Sequence, residues 1–352
     1  MRSNEAMKRP ALLPDNFTLL LIAAVAIASV APARGAVAVG FDRLTGVAIG
    51  GLFFLHGAKL SRDAIRAGIG HWRLHLLVFA FTFGLFPLLG LALRPLLEPL
   101  VTPALYAGML FLCVLPATVQ SAIAFTSMAR GNVPAAVCSA SASTLLGVFV
   151  TPVLASLVVM PLVPAAAVAG AGATAGSGTL DAVGRILLQL MVPFAAGHLA
   201  RPWIEGWIAR RKALVGLVDR GSILLVVYTA FSAAVIEGLW REVPWQALLG
   251  LVVACCAFLA LVLLATGRIA RMLGFDRADE ITIVFCGSKK SLASGIPMAK
   301  VLFAAHAVGA LVLPLMVFHQ IQLMVCAVLA QRWGQRGEDG ERLATADAVP
   351  KA

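Results

Sequence analysis

The sequence predicts an all-α membrane protein in which ten transmembrane helices form two inverted five-helix repeats. Of the 352 residues, 60% are apolar and only 13% are charged. A typical soluble domain is nearer half apolar and about a quarter charged. Two further observations support this fold class: basic residues are unequally divided between the two sides of the membrane, and two predicted helices carry matching interruptions. The composition excludes a soluble enzyme, a disordered chain and an outer-membrane barrel, which would alternate apolar and polar residues.

Ten apolar stretches supply the predicted spans, since about 20 apolar residues cross a membrane as a helix. They cover residues 17–32, 44–60, 74–93, 104–128, 134–160, 181–200, 217–236, 244–267, 279–303 and 305–330. The uncharged Gly/Ala-rich stretch at 161–179 is too weakly apolar to be a confident span. It predicts a flexible linker between repeat 1 (17–160) and repeat 2 (180–330), with tails at 1–16 and 331–352.

The distribution of charge predicts the orientation. With the N-terminus placed inside, 20 basic residues fall in cytoplasmic segments and 6 on the opposite side, while Lys289 and Lys290 complete the 28. Because Lys and Arg near helix ends stay cytoplasmic, both tails are predicted to be cytoplasmic. The net charge of +11 mostly follows from this orientation and calls for no nucleic-acid partner. All six cysteines lie inside spans, so neither a disulfide framework nor a zinc site is indicated.

The first apolar stretch has a second interpretation. A basic start, the apolar run from Phe17 to Val30 and the small residues that follow also fit a signal peptide. Cleavage would leave nine spans and disturb the division of basic residues. We therefore favour a retained first helix.

The two halves of the chain are predicted to be inverted repeats. Five spans precede the linker and five follow it, so the second half enters the membrane upside down. Inverted repeats recur in secondary transporters. A shift of 170 positions places TVQSAIAFTSMAR at 118–130 over SKKSLASGIPMAK at 288–300, with three identities in thirteen positions. Chance could produce this match, but it falls on the fourth span of each half.

Both of these spans look broken. Pro116 interrupts the fourth, because proline lacks an N–H and clashes with the preceding turn, and Gly287, Gly295 and Pro297 interrupt the ninth. Interrupted backbone at membrane depth is tolerated where it is buried in protein or lines a wet cavity. Matching interruptions in two halves indicate a transporter's binding site, although an ordinary kinked helix remains the alternative.

The candidate substrate- or ion-binding residues are polar side chains at these breaks and on the neighbouring spans. They are Thr118, Gln120, Ser121, Ser288, Lys289, Lys290 and Ser291 at the breaks, Ser139 and Ser143 in the fifth span, and His319 in the tenth. Small polar residues also let helices approach closely, so packing is the alternative role for the fifth-span serines. A membrane histidine such as His319 more often bonds a neighbouring helix.

Lys289 and Lys290 are the most informative of these residues. Ten residues from a start near Asp279, at about 1.5 Å each, place them about 15 Å deep, where a charged lysine costs at least about 2.5–3.5 kcal/mol. Either both face a cavity, or one faces it while the other bonds loose carbonyl groups of the facing broken helix. All 17 carboxylates lie in tails, loops or the terminal turns of spans. A weak sodium site of hydroxyls, carbonyls and Gln120 remains open, as does proton coupling through a lysine; no cofactor and no confident metal site are predicted.

Longer motifs resemble a known family. Pro116, Ser121, ARGN at 129–132 and LLGVFVTPVL at 145–154 look like the bile acid:sodium symporter family (solute carrier family 10). One branch, of uncharacterised bacterial inner-membrane proteins and the seventh vertebrate member, is resembled more closely. The motifs that carry this closer resemblance are FFLHGAKLSRDAI at 53–65, HWRLH at 71–75, LPATVQSAIAFTSMARGN at 115–132 and FCGSKKSLASGIPMAK at 285–300. The resemblance implies a bacterial inner-membrane protein with a core of spans 3–5 and 8–10, a panel of spans 1, 2, 6 and 7, and crossed breaks in spans 4 and 9.

The chain departs from the family at the implied sodium sites. Phe285 stands where sodium-coupled members have Glu, and Lys289 and Lys290 stand for their Gln and Asn. Ala136 and Ala140 occupy two positions that carry hydroxyl groups in those members. The resemblance therefore implies the architecture but makes sodium dependence doubtful.

The sequence is compatible with three functions. The leading one is a symporter-type secondary transporter that moves a small organic anion by alternating access. The alternative is a non-transporting or channel-like membrane regulator of ion (calcium) homeostasis, as the resemblance to the vertebrate member implies. An intramembrane enzyme is weakest, since the sequence has no HExxH, no pair of membrane aspartates, no Gly-rich phosphate loop and no nucleophile with a plausible base. Membrane lipid is an expected partner, and the oligomeric state is open.

Overall fold

The computed structural model describes residues 16–59, 69–164, 167–168 and 179–347, which are predominantly helical. The helices are α1 Asn16–Val30, α2 Gly35–Lys59, α3 Trp72–Ala92, α4 Pro103–Val114, α5 Val119–Met128, α6 Val133–Val158, α7 Thr179–Arg210, α8 Lys212–Ile236, α9 Trp245–Met272, α10 Arg277–Gly287, α11 Leu292–Leu302 and α12 Ala305–Asp347. Residues Ala80–Leu85 form a π-helical turn within α3. Single helical turns occur at Ile69–His71, Arg94–Leu97, Glu98–Leu100, Met160–Leu162 and Leu239–Glu242. Within the described ranges the strand-like pairing is an isolated bridge between Val168 and Phe303.

The all-helical membrane class is confirmed. Six helices are long and apolar enough to cross a membrane, and α4 with α5 forms a seventh candidate that bends by 65°. The protein is therefore a multi-pass membrane protein. Each apolar stretch predicted as a span coincides with a helix or with a pair of short helices, while the inverted-repeat arrangement stays a prediction. The predicted N-terminal tail, apart from Asn16, and linker residues 165–166 and 169–178 lie outside the described residues.

Several helices extend beyond the predicted spans. α12 continues to Asp347 instead of ending near 330, so the predicted C-terminal tail begins as helix. α7 likewise runs to Arg210 instead of 200. Apolarity marks where a chain lies in lipid, whereas a helix continues until its hydrogen bonding is interrupted. The polar residues after 330 include Gln, Glu and Arg, which are good helix formers.

The broken helices lie at the centre of the molecule. Every residue of α4 from Leu105 to Val114 is buried, as is every residue of α10 from Asp279 to Gly287. α3 and α6 contact both of them, α12 contacts α4, and α9 contacts α10. Since the most buried helices are also the interrupted ones, the breaks lie deep inside the protein.

A second set of contacts joins α1, α2, α7 and α8. The backbones of α2 and α7 touch where two glycines face each other: a Cβ added to Gly57 would lie 2.0 Å from the Phe194 carbonyl oxygen, and one on Gly197 would lie 1.9 Å from that of Phe54. Lys59 forms an ion pair with Asp219, which ties α2 to α8. α1 is held on α8 by the Tyr228 hydroxyl, which donates to the Ala31 carbonyl over 3.0 Å.

We expect Gly197→Ala to destabilise the protein by about 1–3 kcal/mol, the usual cost of overpacking. The added methyl group would force α2 and α7 apart at the Phe54 carbonyl. Gly50→Ala is the matched control, because a Cβ there meets no atom within 4 Å and alanine is the better helix former. Thermal unfolding in detergent measures both variants, and equal midpoints would contradict the close contact.

Candidate functional site

Two breaks meet inside the protein. The first break, residues 115–118, separates α4 from α5, and the second break, residues 288–291, separates α10 from α11. Pro116 cannot donate a backbone hydrogen bond and lies within the first break, and Gly287 is the last residue before the second. The Ser291 N–H donates to the Pro116 carbonyl over 2.9 Å. The breaks are therefore in direct contact.

Two of the four predicted helix-breaking residues do not break a helix. α11 runs through Gly295 and Pro297 without interruption, so these two predictions were wrong. Gly295 instead permits close packing, because a Cβ there would lie 2.4 Å from Leu115 Cδ1. Pro297 removes one hydrogen bond inside α11, which the packed surroundings tolerate.

Polar side chains of the following helices satisfy the loose backbone groups of each break. At the first break, the Ala117 N–H donates to Ser143 Oγ over 3.0 Å and Thr151 Oγ1 donates to the Val114 carbonyl over 2.8 Å; both side chains belong to α6. At the second break, Gln322 of α12 accepts from the Lys290 N–H and donates to the Lys290 carbonyl, each over 2.9 Å. A buried backbone group without a hydrogen-bond partner costs free energy. These side chains therefore stabilise the interrupted backbone.

His319 lies beside the two hydrogen bonds that Gln322 forms with the Lys290 backbone. Its Nδ1 lies 2.8 Å from Gln322 Nε2 and 3.3 Å from the Lys290 carbonyl oxygen. His319 therefore contacts the second break from a neighbouring helix, which is the role that a membrane histidine more often has.

Lys290 fills the space where α3, α4 and the two breaks meet. Its side chain is fully buried, and its ammonium group donates to three carbonyl oxygens. The acceptors are Thr82 at 2.7 Å and Cys113 and Leu115 at 2.8 Å each. An ammonium group has three donors, so all are used. The Phe86 ring adds a cation–π contact at 4.0 Å.

The π-helical turn of α3 positions one of these acceptors. Thr82 lies within Ala80–Leu85, where the Phe86 N–H bonds to the Phe81 carbonyl, five residues back. Such a turn shifts the ladder of backbone hydrogen bonds, and π turns occur often at functional sites. The Thr82 carbonyl there accepts from Lys290.

Lys289 occupies a separate, aromatic environment. Its ammonium group donates to the Ser121 carbonyl over 2.9 Å and lies 3.8 Å and 5.0 Å from the ring centres of Phe125 and Phe285. The side chain is also fully buried. Both lysines thus bond backbone carbonyls in this structure.

The lysines are not paired with carboxylates in the part of the chain that the structure describes. The buried carboxylates of α10 are engaged near its start: Glu280 with Arg271 and Arg277 at 3.3 and 3.0 Å, and Asp279 with the Asn132 side-chain amide at 2.8 Å. Among the described residues, no carboxylate therefore compensates the two central lysines.

The remaining predicted site residues differ in position. Gln120 is exposed on the first turn of α5, while Thr118 and Ser121 are half-buried, with their hydroxyl oxygens 3.5 Å apart. Ser288 is buried, and no partner for its hydroxyl occurs in the described structure. Ser139 lies 2.6 Å from His75 Nδ1, which joins α6 to α3 instead of to the breaks. Over the described ranges, no cluster of three His, Cys, Asp or Glu side chains could hold a metal ion.

Sequence reasoning missed several residues at the breaks. Gln322 was not among the predicted site residues, although a polar amide in an apolar span is a signal that could have identified it. Thr151, Phe86 and Phe125 gave no such signal. The acceptor groups of Lys290 are backbone carbonyls, which no side-chain pattern reveals.

Comparisons with known proteins identify the family of this chain. Residues 15–335 match the model of the SBF-like CPA transporter family. An uncharacterised protein of Pseudomonas aeruginosa is 66% identical over 333 residues, 95% of this chain and 97% of that protein. "Putative symporter YfeH" of Escherichia coli is 58% identical over 324 residues, 92% of this chain and 94% of that protein. "Sodium/bile acid cotransporter 7" of Rattus norvegicus is 29% identical over 286 residues, 80% and 81% of the two chains. The chain belongs to the SBF-like CPA transporter family, whose members are transporters and not enzymes.

Proposed function

We propose that this protein is a secondary transporter that moves a small organic anion by alternating access, with the Lys290 ammonium group as a built-in cation. One observation carries the proposal: this ammonium group donates to three carbonyl oxygens where the broken helices meet. Our proposal includes ten spans in two inverted repeats, with both termini cytoplasmic in the bacterial inner membrane. The core comprises α3–α6 and α9–α12, and the panel comprises α1, α2, α7 and α8.

Lys290 fills a place suited to a monovalent cation. Sodium and other hard cations take oxygen ligands, and the three carbonyls around Lys290 are such ligands. A second unit charge 4 Å from the ammonium group would be repelled by roughly 4 kcal/mol at an effective dielectric of 20. That repulsion weakens binding by about three decades. A transporter whose cation site is filled by its own side chain has no need of sodium there.

The position of the expected glutamate supports the same conclusion. Phe285 is buried among aromatic rings, 6.0 Å from Phe125 and 5.4 Å from Trp333 between ring centres. It offers no oxygen ligand. The Ala136 carbonyl lies 3.9 Å from the Cys286 thiol, and Ala136 itself lacks the hydroxyl that sodium-binding members have.

An anionic substrate fits the charges at the centre. Two buried lysines and the N-terminal ends of α5 and α11, which carry partial positive charge, converge on the breaks. Gln120, Thr118 and Ser121 are the more exposed polar residues there, and we propose that they contact the substrate. The membrane-regulator alternative gains no support from the relatives, two of which are named a symporter and a cotransporter.

Uptake by purified protein in liposomes tests the proposal. The probes are radiolabelled taurocholate and a series of smaller carboxylates and sulfates, each with external sodium or with choline in its place. We expect at least one anion to accumulate above empty liposomes, with less than about a twofold change when sodium is removed, because the Lys290 charge already fills the cation site. A proton gradient across the same liposomes tests proton coupling. Steep sodium dependence, or no uptake of any anion, would contradict the proposed function.

A further inference from the structure

We propose that the ion pair between Asp42 and Lys300 is a gate between panel and core on the non-cytoplasmic side. This inference rests on the proposed function, in which the two groups of helices move relative to each other. Asp42 belongs to α2 of the panel, and Lys300 belongs to the last turn of α11 in the core. The Lys300 Nζ atom lies 2.7 Å from Asp42 Oδ1.

The two side chains differ in exposure. The Lys300 side chain is 11% exposed, whereas the Asp42 side chain is 58% exposed. The Lys300 side chain is therefore largely buried, and Asp42 of the panel contacts its ammonium group. Removal of Asp42 leaves a mostly buried ammonium group without this partner.

The location of this pair distinguishes it from the other ion pairs between helices in the described ranges. Lys59–Asp219 joins two panel helices, and Arg271–Glu280 joins two core helices. An ion pair inside one moving group can persist through the transport cycle. An ion pair that joins panel to core must break when these groups separate at that end.

The chain between the two repeats reinforces this end of α11. The Ala304 N–H donates to the Ala167 carbonyl over 2.9 Å, and Val168 forms an antiparallel bridge with Phe303. Phe303 is buried and packs against Phe111 at 5.4 Å between ring centres. Residues 167 and 168 thus contact the segment after Lys300, and Lys300 itself is held by the panel.

Thiol labelling of a buried reporter beside the gate tests the proposal. The reporter is Val301→Cys, since Val301 is 5% exposed. The background variant is Cys256→Ala, because the other five cysteines are buried. A membrane-impermeant maleimide reaches the reporter when this end opens. We expect Asp42→Asn to raise the labelling rate about two- to fivefold, the range for loss of a partly exposed ion pair.

Two further variants make the result specific. Exchange of the charges, Asp42→Lys with Lys300→Asp, is expected to restore slow labelling. Arg43→Gln changes the adjacent exposed charge on α2 and is expected to leave the rate unchanged. Equal rates in Asp42→Asn and Arg43→Gln, or no restoration by the exchange, would overturn the gate. Labelling needs no substrate, so a lack of anion uptake would count against the proposed function and not against this result.

Discussion

Lys290→Met is expected to lower the free energy of unfolding by about 3 kcal/mol or more and to abolish anion uptake. Methionine keeps most of the aliphatic side chain but removes the ammonium group. The carbonyl groups of Thr82, Cys113 and Leu115 then lose their donor in a buried site. Each unsatisfied buried polar group costs about 1–3 kcal/mol. Thermal unfolding in detergent and uptake into liposomes measure the two effects.

Lys289→Met is the matched control. Within the described ranges Lys289 donates to one acceptor, the Ser121 carbonyl, so the loss of stability is expected to be about 1–3 kcal/mol. The Phe125 and Phe285 rings can still pack on methionine. If Lys289→Met destabilised the protein as strongly as Lys290→Met, the special role of the three-carbonyl site would be wrong.

Gln322→Leu has the second-largest expected effect. The substitution preserves approximate volume but removes both hydrogen bonds to the Lys290 backbone. The Lys290 N–H is left without a partner, at about 1–3 kcal/mol, and the Lys290 carbonyl loses a bond worth about 0.5–1.5 kcal/mol and keeps its 3.3 Å contact with His319 Nδ1. The second break should then shift, and uptake should fall with stability. Chemical unfolding of the purified protein measures the loss of stability.

Gln320→Leu serves as the control for Gln322→Leu. Gln320 lies two residues earlier on α12, is half-buried and contacts the Thr18 hydroxyl over 2.6 Å instead of the break. We expect it to cost no more than about 1.5 kcal/mol, the value of one ordinary hydrogen bond. Equal losses for the two variants would show that Gln322 does not hold the break.

The sequence was sufficient for the helical class and for one residue at each break, Pro116 and Gly287. Apolarity located each helix, and Pro116 marked the first break because proline cannot continue the hydrogen bonding of a helix. Lys289 and Lys290 stood out because charge is rare at membrane depth. The ends of α7 and α12 could not be placed, because helical hydrogen bonding continues past the apolar residues that define a span.

The partners of the lysines could not be predicted. Lys290 bonds carbonyl oxygens that become available at a π turn of α3 and at the end of α4, and both features depend on tertiary structure. Gly295 was misread as a break because glycine is used both for interruption and for close packing. Ser139 was a candidate because of its hydroxyl group, with helix packing as the alternative, and this hydroxyl contacts His75 of α3.

The central claim is that the Lys290 ammonium group occupies a cation site. The most direct test is whether added cations raise the unfolding midpoint of Lys290→Ala. This substitution removes three methylene groups and the ammonium group, which n-propylammonium matches in length and charge. We expect n-propylammonium to raise the unfolding midpoint of Lys290→Ala, by about 1.4 kcal/mol at ten times its dissociation constant, while neutral n-propanol has no effect. The wild-type protein should respond to neither n-propylammonium nor sodium. Stabilisation of the wild type by sodium, or failure of n-propylammonium to stabilise Lys290→Ala, would contradict a cation site occupied by Lys290.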